Sequence, residues 1–553
     1  MSTYQGDRRA APARRRSRWF LAGGLVAGTL VAGVAGGAAV AAERALPTAS
    51  DTPSLVLRGD DSGAGHRDDR REQGRADLGG QHSGDPAGQP SRDAAREPSR
   101  HGAGEPSADA AGERSGDWSG DPAGERRGGE EGRHRGSGAG RRGEVEVPCD
   151  STKLIAALVR ANAEGGAHLR LAPKCTYELT HAFQQPDDYD GGIRDAREAA
   201  DSAENPGDAE APPRNPQHDR AGLPVIYHPI TIRGEGATIE RDVHAEAFRF
   251  FTVRDGGELT LSDVVLRNGL SAAEGGSIHV VHGASAVVER TTVVGSTSLS
   301  AEGGGGGIFN DGNMVVADST FVGNHAAGTA GKGGGLLNGG VLSLRTSEFR
   351  NNTAVAYGGG LGNYRGAAEV RESTFADNNA AQGGGIASFS ARTRVADSKV
   401  LGNTAQTGGG IANSDALIFL RGLEVRDNTA TGNGGGISTF QGLLPLDDSV
   451  VAGNTARGAG GGIYAAKSNL LVRHSEVDWN HAVGAASKGG GVFVTQGQVS
   501  LYRSRVAGNT ATVKPGGLFA DKARVRVDDE TDIIDNEPTN CEGSRVPVAN
   551  CFR

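Results

Sequence analysis

The sequence predicts an all-β protein, a single-stranded parallel β-helix whose coils of 25–29 residues stack into a solenoid, and three observations carry that prediction. The first is a fixed period. The apolar residue that follows a glycine run recurs at Ile308, Leu336, Leu361, Ile386, Ile411, Ile437, Ile463, Val492 and Leu518. An asparagine closes each unit, at Asn324, Asn352, Asn378, Asn403, Asn428, Asn454, Asn480, Asn509 and Asn536. A repeat of this length marks a stacked array. The second observation is the content of each unit. "GGGGGIFNDGNMVVADSTFVGN", from Gly303 to Asn324, holds short runs that alternate apolar with polar and are broken by Gly, Asn and Asp. None is long enough for a helix, which excludes helical repeats and leucine-rich horseshoes. The third is composition. The 553 residues include 89 Gly but only 15 Phe, 8 Tyr and 3 Trp, so small side chains must pack in a regular lattice.

In such a solenoid each residue lies roughly 4.8 Å from its counterpart one period later, and columns of like residues become contacts. The Ile/Leu/Val column is expected to form the core together with Phe321, Phe349, Phe375, Val400, Val425, Val451, Val477, Val506 and Ile533. The asparagine column should run as a ladder of side-chain amides, satisfying backbone groups that a sharp turn would bury unpaired. The glycines permit positive φ and a close approach of backbone between coils.

Three segments precede or interrupt the array. Residues 1–42 carry an arginine-rich head and an apolar run from Trp19 to Ala42, an export signal. Ala39-Val40-Ala41 offers a cleavage site for a signal peptide, while the length of the run equally suits an uncleaved transmembrane anchor. Residues 43–147, rich in Gly, Arg, Asp, Glu, Ser and Pro, are expected to be a disordered polyampholyte linker. The β-helix is placed at 148–553, with a mobile acidic insertion at 183–222. Its first residues predict a short capping helix, started by Asp150 or Ser151, with Leu154, Ile155, Leu158 and Val159 as its apolar face and Gly165-Gly166 as its stop. Strands are expected at His168 to Leu171 and in "LPVIY", "ITIRG", "ATIER" and "FRFFTV".

A formal charge of −9 without a long single-sign block excludes nucleic acid as a partner. Membrane contact is expected only through the N-terminal segment. The four cysteines lie beyond the signal, as an oxidising, secreted or cell-surface location would require. Three pairings are possible; the local one, Cys149 with Cys175 and Cys541 with Cys551, is expected because the pairs sit at opposite ends of the repeats. The glycine runs lack the aspartate of calcium-binding nonapeptides, and no Cys/His cluster has zinc spacing, so neither a metal nor a cofactor is expected.

With the glycine-run and Phe-x-x-Asn marks, the chain resembles the right-handed parallel β-helix proteins of the pectin-lyase-like superfamily. Its repeats are similar to those of polymorphic outer-membrane proteins. The segments "LIAALVRANAEGGAHLRLAPKCTYELT", "GLPVIYHPITIRGEGATIERD" and "IDNEPTNCEGSRVPVANC" resemble secreted β-helix repeat proteins of high-GC bacteria. The resemblance implies a right-handed helix with capped ends. It departs from the outer-membrane group in showing no terminal alternating-strand barrel, so self-transport is not implied.

Enzymes of the superfamily cleave polysaccharides with acids clustered across neighbouring coils. Three residues before the Phe/Val column stand Asp318, Thr346, Glu372, Asp397, Gly422, Asp448, His474, Arg503 and Glu530. Glu372 and Asp397, one coil apart at about 5 Å, match the spacing of a retaining glycoside hydrolase, and Asp448 lies two coils from Asp397. The mixture of Thr, Gly, His and Arg in this column is what a solvated surface shows. A second feature stands out more. Positions one and three residues after the Ile column should point outward, and they carry Phe309, Leu337, Tyr364, Phe389, Phe440, Tyr464, Phe493 and Phe519. Seven of these rings on one lateral face are the expected binding strip for a polysaccharide or a protein surface. The leading expectation is an exported, tethered binding protein without a catalytic site. The alternatives are a polysaccharide lyase or glycoside hydrolase, and a structural spacer.

Overall fold

The computed structural model describes residues 143–184 and 219–551. The expected signal or anchor, nearly all of the linker and most of the acidic insertion lie outside the described residues. Among the described residues no helix is long and apolar enough to cross a membrane.

The chain winds as a parallel β-solenoid with three sheets of 25, 10 and 11 strands. One coil shows why. Ile386–Phe389 pairs residue for residue with Ile411–Ser414 in the eleven-stranded sheet. Arg392–Ala396 pairs with Leu417–Arg421, and Lys399–Leu401 with Glu424–Arg426, so the long sheet takes two strands from each coil. Thr404–Thr407 pairs with Thr429–Ala430 in the ten-stranded sheet. Side chains alternate in and out along each strand, and both expected core columns face in: from Ile308 to Leu518 the first is fully buried, and from Phe321 to Ile533 the second is at most 3% exposed. Phe321, Phe349 and Phe375 stack with centroids 4.3 and 5.0 Å apart.

The glycine triplet answers two separate demands. Gly383 has φ +63°, the left-handed region. A Cβ on Gly384 would lie 2.5 Å from the carbonyl oxygens of both Thr404 and Gly409, so no larger residue fits beside the ten-stranded sheet.

The asparagine column forms the expected ladder. Asn403 Nδ2 donates to Asn428 Oδ1 at 3.0 Å and to the Phe375 carbonyl at 2.9 Å, while its own Oδ1 accepts from Asn378 N and Nδ2 at 2.9 and 3.0 Å. The same set repeats along the column and closes at its ends on Ser296 N and Asn540 Oδ1. A second ladder was not foreseen. Ser319, Ser347, Ser373 and Ser398 each accept a backbone N–H from the preceding coil at 3.1–3.2 Å and return the hydroxyl proton to the carbonyl two residues back.

The N-terminal end is closed by the helix Ser151–Ala163. Asp150 caps it, accepting from Thr152 N at 2.8 Å, and hydrogen bonds from Thr152 hold its carboxyl below the ordinary value. Leu154, Leu158 and Ala161 are its buried face. Val159, expected inside, is 46% exposed, because it lies one position past Leu158 on a helix that turns 100° per residue. Order also begins earlier than expected: Val145–Val147 pairs with Ala167–Leu171. "ITIRG" and "ATIER" merge into one bulged strand, Pro229–Arg241, whereas "LPVIY" contributes only a bridge from Ile226 to Val253.

Both disulfides are local, Cys149–Cys175 and Cys541–Cys551, with Cα atoms 5.7 and 6.2 Å apart. The first ties the helix to the coil it covers. Replacing Cys149 and Cys175 by serine should lower stability by about 3 kcal/mol through the freed unfolded chain, read as an earlier first transition in urea. An unchanged transition would show that the cap holds by packing alone.

Candidate functional site

The carboxylate column and the aromatic strip occupy different places. Glu372, Asp397 and Asp448 have φ of 49°, 48° and 48° and sit, like Asp318, Thr346 and His474, at the left-handed corner between the two strands that each coil gives to the long sheet. Asp tolerates that conformation by bonding its own backbone. Asp318, Asp397 and Asp448 suit the corner for that conformational reason, although Thr, Glu, His and Arg take it as well. The surroundings of the acids mix both signs of charge, with Glu369 and Asp447 beside the arginines. Asp448 faces Arg421 Nε at 3.3 Å and His474 Nδ1 at 3.7 Å. Asp397 lines a shallow concavity of about 490 Å³ with Arg371, Arg394, Phe419 and Arg421. Among the described residues, no group of three or more His, Cys, Asp or Glu is placed to hold a metal.

This geometry predicts how the column responds to substitution. Asp397→Asn should leave stability within about 0.5 kcal/mol of the parent, because Asn suits the corner equally. Asp397→Val should lose about 1–2 kcal/mol in chemical denaturation. Equal losses for both would mean that the charge, not the backbone, selects the residue.

The aromatic positions do face outward, but the structure divides them. Tyr364 stacks on Phe389 at 5.3 Å, and Tyr464, Phe493 and Phe519 form a second stack with spacings of 5.3 and 4.8 Å. Between the stacks the coil Ile411–Ser414 carries only Ala412 and Ser414 at its outward positions, and the next carries Ser438 and Phe440. A groove of about 560 Å³ results, with Phe389 on one side, Tyr464 on the other and Phe440 at the rim. Gln382, Thr407, Asp415 and Gln441 supply polar groups around it.

Exposure follows position. Phe440 is 42% exposed, whereas Phe519 is 4% and Leu337 3%, so these last two are core-like and drop out of the strip. Phe309 stands apart, 4.9 Å from the His279 ring. Tyr357 lies tilted against Phe389 with centroids 5.3 Å apart, and the sequence does not mark it. It precedes the glycine run, where neighbouring coils hold Lys332 and Gln382, so no column of like residues marks it. Cations lie over the rings: Lys332 and Arg365 on Tyr364 at 5.2 Å each, Lys467 on Phe440 at 5.3 Å and Lys488 on Phe519 at 4.9 Å. Burial pulls the Lys332 ammonium below its ordinary value, opposed by Glu302 and Glu274.

Fold and site together define a parallel β-helix repeat protein with a ring-lined groove on one lateral face. Neither a protein-family model nor a curated protein matches the chain. Among solved structures, the A-module of the mannuronan C-5 epimerase AlgE6 of Azotobacter vinelandii is similar at 11% identity, over 68% of this chain and 94% of that one, with a TM-score of 0.31. The likeness is distant, and the fold stands on the strand pairing itself.

Proposed function

We propose that this is an exported, surface-tethered right-handed β-helix protein that binds a glycan strand in the groove between Phe389, Phe440 and Tyr464. The carrying observation is the gap between two ring stacks, floored by Ala412, Ser414 and Ser438. Ring faces cover the apolar face of a pyranose, and the small floor leaves room for the sugar beside them. The amides and carboxylate of Gln382, Gln441 and Asp415 suit its hydroxyls. Lys332, Arg365 and Lys467, held on the rings, favour a carboxylated or sulfated sugar over a neutral one. The two disulfides fit an oxidising destination.

The test is affinity electrophoresis of the full chain against acidic and neutral polysaccharides, with polymer length followed in parallel. The Phe389→Ala/Phe440→Ala double variant should lose about tenfold or more in retention, since each ring contributes about 1 kcal/mol. Its melting temperature should stay close to the parent, because both rings are partly exposed. Full retention in a folded double variant would sink the reading, and polymer shortening would replace it with an enzymatic one.

A further inference from the structure

Trp479 occupies a position that other coils reserve for residues able to turn left-handed. The corner between the long sheet and the ten-stranded sheet is, in successive coils, Asp377, Gly402, Asp427, Gly453, Trp479 and Gly508, all with φ between 55° and 67°. Asp and Gly enter this conformation readily, and a bulky side chain there is an outlier. Packing does not compensate, because Trp479 is 65% exposed. The fold gains little from the ring, yet the chain keeps it at a strained corner. Other corners of the chain hold Thr, Glu, His and Arg at positive φ, so it is the exposed indole, more than the backbone conformation, that sets Trp479 apart.

The indole is also held in a defined pose. A Cβ on Gly508 would lie 2.9 Å from Trp479 Cδ2 and Cε3 and 3.1 Å from Cε2, so the ring lies face-on over the glycine of the next coil. Gly453 leaves the corresponding place on the preceding coil without a side chain. Polar groups stand on the strands that precede and follow this corner. Arg505 bonds Asp478 at 2.7 Å on the long sheet, and His481 Nδ1 lies 2.8 Å from Thr510 Oγ1 on the ten-stranded sheet. Val483, 54% exposed, follows the strand His481–Ala482 on the same coil.

We infer that Trp479 is a stacking platform for a single pyranose ring, with Arg505, His481 and Thr510 placed for its hydroxyls, at a second glycan site separate from the groove. One indole and one valine make too small an apolar patch for a protein partner, which covers about 800 Å² on each side. A flat ring set among a guanidinium, an imidazole and a hydroxyl matches a sugar, which is apolar on its face and polar around its edge.

The chain has 3 Trp, the others being Trp19 and Trp118, so a full chain carrying Trp19→Phe and Trp118→Phe reports Trp479 alone in fluorescence. Titration with cellohexaose, chitohexaose and mannohexaose is expected to give a saturable change in emission with at least one of them. Trp479→Asn should reduce retention of that glycan at least tenfold and melt at or above the parent temperature, since Asn suits the corner. Phe389→Ala/Phe440→Ala should leave the Trp479 titration unchanged, which separates this site from the groove. No emission change with all three glycans, retention unaffected by Trp479→Asn, or a lower melting temperature for that variant would each overturn the proposal.

Discussion

Asn403→Asp should be among the most damaging single changes in the array, lowering stability by about 4 kcal/mol or more. The wild-type amide is satisfied on both sides. Its Nδ2 donates to Asn428 Oδ1 and the Phe375 carbonyl, and its Oδ1 accepts from Asn378 N and Nδ2. Asn403 is fully buried. Aspartate keeps the acceptor but turns the donor into a second oxygen, facing two oxygens at 2.9–3.0 Å. Each orphaned buried group costs about 1–3 kcal/mol, and ionisation in that setting costs more. Asn403→Ala removes all four bonds and should approach the same loss. Asn379→Ala, on an exposed residue one coil earlier, should stay within about 0.5 kcal/mol. Guanidinium denaturation measures all three. Because a solenoid is held by nearest-neighbour interfaces, the Asn403 variants should also broaden the transition or split it at that coil. A loss below about 1 kcal/mol for Asn403→Asp would mean that the ladder relaxes around the defect and that its hydrogen bonds are not essential to the array.

What the sequence made legible is whatever repeats as a column of one residue type. Ile386 and Val400 face inward and Asn403 enters the ladder because each has like neighbours one period away. The serine ladder repeats as well, but Ser and Thr are scattered through every coil, and Leu423 interrupts the column between Ser398 and Ser449. The acid column was visible and its cause was not: positive φ at Glu372, Asp397 and Asp448 is a backbone property that the period alone does not disclose. Alternation correctly turned Phe389 and Phe440 outward. It was silent on burial, since Phe519 is hidden by its stacked neighbour and by Lys488, contacts that depend on how the coils sit over one another. Residues that break a column, such as Tyr357 and Trp479, carry no periodic signal and emerge only from three-dimensional surroundings.

Asp219→Ala should cost about 3–5 kcal/mol at neutral pH, although the residue lies in the stretch 183–222 that reads as a mobile acidic insertion. Its partner Arg249 is fully buried, ion-paired to Asp219 and bonded to Thr252 Oγ1 at 3.1 Å, Ser271 Oγ at 3.0 Å and the Glu274 carbonyl at 3.1 Å. Arg254 reaches the second carboxylate oxygen at 3.2 Å. Removing Asp219 strands the Arg249 charge in the interior, and a buried unpaired guanidinium is far more costly than the pair is stabilising. The double variant Asp219→Ala/Arg249→Met should therefore recover most of the loss in urea denaturation. The pH dependence has a defined sign. Burial raises the Asp219 carboxyl, but Arg249, His279 and Arg254 outweigh it and hold the group well below the ordinary carboxylate range. A depressed folded-state value means that the stabilisation is whole above the unfolded value of about 4 and is lost as the pH falls through the folded value. The stability gap between parent and Asp219→Ala should accordingly be constant from neutral pH down to about 5 and narrow only in stronger acid. A gap that instead closed between about pH 6 and 7 would place the titration on a neighbouring histidine and remove Asp219 as the group responsible.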